Sequence, residues 1–158
     1  MNKADPSAGT RSQDERIMAA LAHASAILPM WGAIAAIVIW ATQREKSAFV
    51  AFQSLQAAVY HFVMILMAFL FGICYICSAF AVPLTMSLSV PGADTPGGEI
   101  SPLFFLPIAI PFAVMALGLI AWLAFLLYGL AGAVLTLQGR DFRYAVVGRR
   151  LEAYLTRT

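Results

Sequence analysis

Glu45-Lys46-Ser47-Ala48-Phe49-Val50-Ala51-Phe52-Gln53-Ser54-Leu55-Gln56-Ala57-Ala58-Val59-Tyr60-His61 is the stretch that decides the fold. It opens as a charged turn. It continues as a half-polar helix carrying Gln53, Ser54 and Gln56, then runs unbroken into apolar sequence that reaches Val82. A charged turn feeding an apolar run long enough to cross a bilayer marks an integral membrane protein. The stretch names no reaction.

Composition points the same way. The chain has 158 residues, enough for one domain, of which 61% are hydrophobic and 11% charged. Soluble domains are about 45–50% apolar and about 25% charged. A soluble fold of this size cannot cover so much apolar surface, so lipid takes it. The net charge of +2 is too small for a nucleic-acid partner, and no basic run has aromatics interleaved. Two cysteines make no disulfide framework. The first residues mix Lys3, Arg11 and Arg16 with Asp5, Asp14 and Glu15, which is not the positive start of a secretory signal.

Working outward, residues 1–13 read as a disordered polar tail and 14–158 as a single membrane domain. Ser12 or Asp14 can cap the first helix. Ile17 to Ala41 is apolar and uncharged, about 38 Å long as a helix. Pro29 interrupts it, giving either one kinked span or two half-length helices in a shallow hairpin. Each half alone is too short to cross, which favours the kinked span. A second span is expected at about 58–82, ended by Pro83. An outer loop follows at 84–102, with Asp94 and Glu99 but no Lys or Arg. Pro107 and Pro111 disturb the start of the third apolar run, leaving a span at about 113–136. Gly139 stops it. Residues 145–156 place Val147, Leu151, Tyr154 and Leu155 on one helical face, as in an amphipathic interfacial helix or one packed on the protein. The expectation is an all-α integral membrane bundle with about three transmembrane helices, the first broken at Pro29.

Basic residues in short loops set orientation. Arg44 and Lys46 in one turn, and Arg140, Arg143, Arg149 and Arg150 at the end, place those segments and the C-terminus in the cytoplasm. Loop 84–102 is then outside, and the side of the N-terminus stays open. The location this implies is a bacterial cytoplasmic (inner) membrane, crossed several times.

Candidate chemistry is sparse. Cys74-Tyr75-Ile76-Cys77 has the spacing of a redox pair, but its neighbours are Phe, Ile and Ala, with no basic residue beside it to activate a thiol and no second cysteine pair to relay electrons. Core packing is the better reading of both. His23 and His61 lie in membrane segments, where a polar residue needs a partner. A structural hydrogen bond is favoured over proton or metal handling, since no embedded carboxylate accompanies them. Gln53, Gln56 and Tyr60 share one face at i, i+3 and i+7. They form an interhelical hydrogen-bonding seam or a partner contact. Ala20 and Ala24, Ala22 and Ala26, and Gly129 and Ala133 are spaced for close helix packing. No catalytic residue, cofactor or metal site is expected.

Asp14-Glu15-Arg16, Ala22-His23 and Ile39-Trp40 resemble the opening of the Tic-twenty-like family of small bacterial membrane proteins. The similarity continues through Lys46-Ser47, Phe49-Val50, Phe52-Gln53 and Gln56-Ala57, and ends at Gly139-Arg140-Asp141-Phe142-Arg143-Tyr144. That family is named for a subunit of the chloroplast inner-envelope import translocon. The resemblance implies kinship with a proposed part of a protein-conducting channel. Taken with the Gln53, Gln56 and Tyr60 seam and the small-residue faces, it points to a non-enzymatic membrane protein working through a protein partner or homo-oligomer, in translocation or complex assembly. Two alternatives stand beside it: an oligomeric small-solute or ion channel, and a thiol oxidoreductase using Cys74 and Cys77.

Overall fold

The structure, a computed structural model, describes residues 11–89, 105–145 and 148. These contain helices and no strand. In order they are α1 (Gln13–Ala24), a 3-10 turn (Ser25–Ile27), α2 (Pro29–Gln43), α3 (Ala48–Ser89) and α4 (Leu106–Leu137). The chain divides into two compact units, one of Met1–Ile65 with Ala124–Thr158 and one of Leu66–Leu123.

In the first unit, Ser12 caps α1. Its hydroxyl accepts from the Glu15 amide at 3.2 Å, and the Glu15 carboxylate accepts from the Ser12 amide at 2.9 Å. This reciprocal pair satisfies two backbone donors that a helix start leaves orphaned. The helix ends at Ala24 because the chain must prepare for Pro29. A residue before proline is pushed out of the helical region, and Leu28 has φ −113° and ψ 85°. Pro29 then occupies the first turn of α2, where its missing N–H costs nothing.

The expected kinked span at 17–41 is therefore corrected: proline starts a second helix here and does not bend a first. The two arms fold back on each other. Ser25 Oγ donates to the Ala22 carbonyl at 2.8 Å and to the Gly32 carbonyl at 3.1 Å, tying them at the turn. Gly32 permits the approach, since a Cβ there would collide with the Ser25 carbonyl oxygen. Ala22, Ala36, Ala57 and Ala58 pack together with Ile39 farther down. At the other end the Ser47 hydroxyl donates to the Glu15 carboxylate at 2.6 Å, so the start of α1 lies by the residue that follows α2. The first apolar run is a helical hairpin.

Two of the described helices, not three, are long and apolar enough to cross a membrane: Ala48–Thr85 within α3, and α4. Pro83 was expected to end its helix but lies inside α3, and Pro111 lies inside α4. Each removes one backbone hydrogen bond from a helix that continues past it. Gly139 does end α4. Its φ is 77°, and Arg140 N donates to Leu135 O at 3.0 Å while Gly139 N donates to Thr136 O at 2.9 Å. These are the two bonds of a Schellman end, which only glycine adopts without strain.

In the second unit Phe71 packs where α4 has Gly118. Its large apolar side chains point outward, with Phe80 75% and Ile120 65% exposed. The tail at 1–13 up to residue 10, the loop at 84–102 beyond Ser89 up to residue 104, and the helix at 145–156 other than Ala145 and Gly148 lie outside the described residues.

Candidate functional site: a polar clasp

All five candidate polar residues, His23, Gln53, Gln56, Tyr60 and His61, are buried in the first unit. Three of them, His23, Gln56 and Tyr60, meet the segment that follows α4, and Gln53 joins them through His23. His23 Nε2 lies 3.0 Å from Gln53 Oε1, and His23 Nδ1 lies 3.0 Å from the Tyr144 hydroxyl. A carbonyl oxygen only accepts, so with the amide oriented this way Nε2 carries the proton. Nδ1 of the neutral ring then accepts from Tyr144. Gln56 bonds the same segment through its backbone. Its Nε2 donates to the Phe142 carbonyl at 3.0 Å, and its Oε1 accepts from the Tyr144 amide at 3.3 Å. One side chain thus replaces a strand neighbour for a segment that has none.

Aromatic rings close the arrangement. Tyr60 stacks on Tyr144, centroids 3.9 Å apart and planes 5° apart, and donates its hydroxyl to the Phe125 carbonyl at 2.7 Å. Phe142 meets Tyr144 edge-on at 4.8 Å and His23 at 5.5 Å. Burial pushes the Tyr144 phenol above its ordinary pKa, so it remains a donor. Gly132 makes room for Phe142: a Cβ there would stand 2.8 Å from its ring and 3.2 Å from His23 Nδ1.

His61 is apart from this network. It is 1% exposed, and neither ring nitrogen has a hydrogen-bond partner among the described residues; nor has Gln53 Nε2. The Ala57 carbonyl one turn back is near its ring but outside hydrogen-bond geometry. Its Nε2 faces the backbone of α2 at Gly32.

A second cluster binds the open end of the hairpin. Arg11 donates to the Gly139 carbonyl at 2.5 Å, pairs with Asp141 at 3.3 Å and lies 4.1 Å over the Phe49 ring. Sequence reasoning singled out neither Arg11 nor Asp141; both sit in polar surroundings that no helical period marks. Of the expected interfacial basic residues, Arg44 pairs with Glu45 at 3.6 Å and lies over Trp40, and Arg143 lies over Phe52. Lys46 and Arg140 are exposed, while Arg149 and Arg150 fall outside the described residues.

The small-residue faces are partly used within the chain. Ala22 and Ala26 are fully buried, and Ala26 Cβ stands 3.0 Å from the place a Gly129 Cβ would take. Ala20, Ala24 and Ala133 instead line an apolar groove of about 260 Å³ with Ile17, Leu21, Val134 and Leu137. Cys74 and Cys77 are free thiols, both exposed on α3, which corrects the expectation that they pack in a core. No group of three or more His, Cys, Asp or Glu able to hold a metal occurs among the described residues.

No curated protein and no solved structure matches the chain. A family model does, over residues 14–151, and it is not the Tic-twenty-like one. That expectation is corrected, and with it the inference to protein translocation. The residues that carried the resemblance include Ala22-His23, Gln53, Gln56 and Phe142 to Tyr144, which are the clasp itself. They report how this interior packs, and packing residues do not specify what a membrane protein acts on. By a match that spans α1 to the segment beyond the clasp, the chain belongs to the magnetosome magnetite crystal formation protein family.

Proposed function

We propose that this protein is a non-enzymatic membrane component of magnetite crystal formation, acting through contacts of its helical body with lipid and with other proteins. It is a membrane protein, and its family is one of magnetosome crystal formation. The observation that carries the non-enzymatic reading is the clasp. Its polar side chains bond one another and backbone, and hold a chain segment in place. The groove beside them is lined by apolar residues alone. Nothing in that arrangement positions a nucleophile, a base and a substrate together. Partner contacts are a route by which such a body influences a mineral.

The test is complementation. In a magnetite-forming cell lacking the gene, crystals are sized by electron microscopy after return of the wild-type chain, of Cys74→Ala with Cys77→Ala, or of His23→Leu with Gln56→Leu. The reading expects full rescue by the cysteine variant and loss of rescue by the clasp variant while that protein remains in the membrane. Failure of the cysteine variant would move the function to thiol chemistry. Normal crystals without the gene would remove the role altogether.

A further inference from the structure

The hairpin has an open end and a closed end of opposite chemistry. At the open end stand Arg11, Glu15 and Ser47, with Arg16, Arg44 and Lys46 nearby in sequence. Between Ile17 and Ala41 there is no charged residue. At the closed end Ile27 and Leu28 are each 57% exposed, Met30 72% and Trp31 71%. This tip is the most outward-facing apolar surface of the hairpin, and water is not what it fits.

Depth can be read along α3. The open end is level with Ser47, which the Glu15 carboxylate reaches. The closed end is level with His61 and Met64. Gly32 lies against the His61 ring, and Ala26 packs with Tyr60 and Met64. From residue 47 to residue 61 an α-helix rises about 21 Å. The arms, of 12 and 15 residues, are about 18 and 22 Å long. A hydrocarbon core is about 30 Å thick, so arms that start at the headgroups stop near its middle. The apolar stretch of α3 meanwhile runs on to Thr85.

We propose that the hairpin is a single-leaflet insertion: its charged end sits among headgroups, and its Leu28–Trp31 tip is covered by the acyl chains of one leaflet. Two helical cross-sections are added to that leaflet and none to the other. Such a protein is accommodated best where that leaflet is expanded, on the convex face of a curved membrane, because packing defects there accept the added area. This rests on hairpin geometry and is independent of any role in crystal formation.

Two experiments test it on the full chain with Cys74→Ala and Cys77→Ala. The first introduces single cysteines at exposed positions, Gln13→Cys, Met30→Cys or Lys46→Cys, and applies a membrane-impermeant maleimide to intact and to opened cells. Positions 13 and 46 are expected to react from the same side, and position 30 from neither. Reaction of 13 and 46 from opposite sides overturns the proposal, as does ready labelling of 30. The second uses giant phosphatidylcholine–phosphatidylglycerol vesicles from which narrow tubes are drawn. The Lys46→Cys protein is labelled from outside only, so that every visible molecule has its charged end outward. Its density per lipid should rise about two-fold or more in the tube. Equal density in tube and parent vesicle overturns the curvature preference.

Discussion

Two buried histidines separate a bond that holds the fold from a cost it carries. His23 has both ring nitrogens engaged, by Gln53 and by Tyr144. His23→Leu leaves the Tyr144 hydroxyl and the Gln53 amide without partners in a low-dielectric interior, and an orphaned buried polar group costs about 1–3 kcal/mol. The protein in mild detergent should melt at a clearly lower temperature. His61 has no such partners among the described residues, so His61→Leu removes a polar group that burial penalises. Its melting temperature should stay level or rise. A fall as large as that of His23→Leu would mean that the His61 ring is bonded by something other than the described residues. Glu15 adds a pH signature outside the membrane. The Ser47 hydroxyl first, then the Ser12 backbone amide, hold its carboxyl below the ordinary range. A group with a depressed native pKa contributes stability above its unfolded value and loses it as pH falls through the native one. Melting temperature should therefore drop on acidification below about pH 4.5. Glu15→Gln should flatten that acid limb, and an unchanged limb would assign it to other carboxylates.

Among elements, the hairpin depends on one residue more than on any propensity. Gly32 is where α2 passes the Ser25 carbonyl, and no side chain fits there. Gly32→Val should part the arms at the turn and expose the buried face of α2. Ala36, now fully buried against Ala22, Ala57 and Ala58, offers the readout. Ala36→Cys should be inert to a small thiol reagent in the parent and reactive in the Gly32→Val background. Equal protection in both would mean the turn tolerates the bulk. The same element shows where sequence reading stops. Gly139 as a helix end, the single face shared by Gln53, Gln56 and Tyr60, and the apolar runs themselves were legible because each follows a local rule of φ, period or length. The direction taken after Pro29 was not. Proline breaks a helix or begins one equally well, and the contacts that accompany the fold-back, such as Ser47 with Glu15, are ones that no spacing encodes. Pro83 lies inside α3 for a related reason. In a membrane helix the freed carbonyl is tolerated, so the residue that stops a soluble helix does not stop this one. The partners of the seam were equally hidden, because Gln56 bonds backbone at Phe142 and Tyr144 and leaves no mark on their identity.

For the molecule as a whole, both units turn large apolar side chains outward, and that bears on the solvent. The first unit buries polar side chains and long-range bonds. In the second, Ser78 of α3 donates to the Tyr75 carbonyl and Thr85 to those of Ala81 and Val82. Helical hydroxyls in lipid satisfy themselves this way. Its bulkiest groups, such as Phe69 at 65% and Phe80 at 75% exposure, face outward. In water a charge at either position would be nearly neutral, because surface substitutions usually change stability within about 0.5 kcal/mol. In a bilayer, an arginine facing lipid within a span is penalised, by up to about 2.5–3.5 kcal/mol on insertion scales where it stands at the centre. Phe69→Arg should therefore cut the membrane-inserted fraction sharply when the chain is made in the presence of membranes, whereas Phe69→Leu should not. Lys46→Glu, in the exposed turn, provides the contrast, since a charge stands there already and insertion efficiency should hold. Equal insertion of all three variants would place Phe69 against protein rather than lipid. It would then require a partner helix on the outer face of α3.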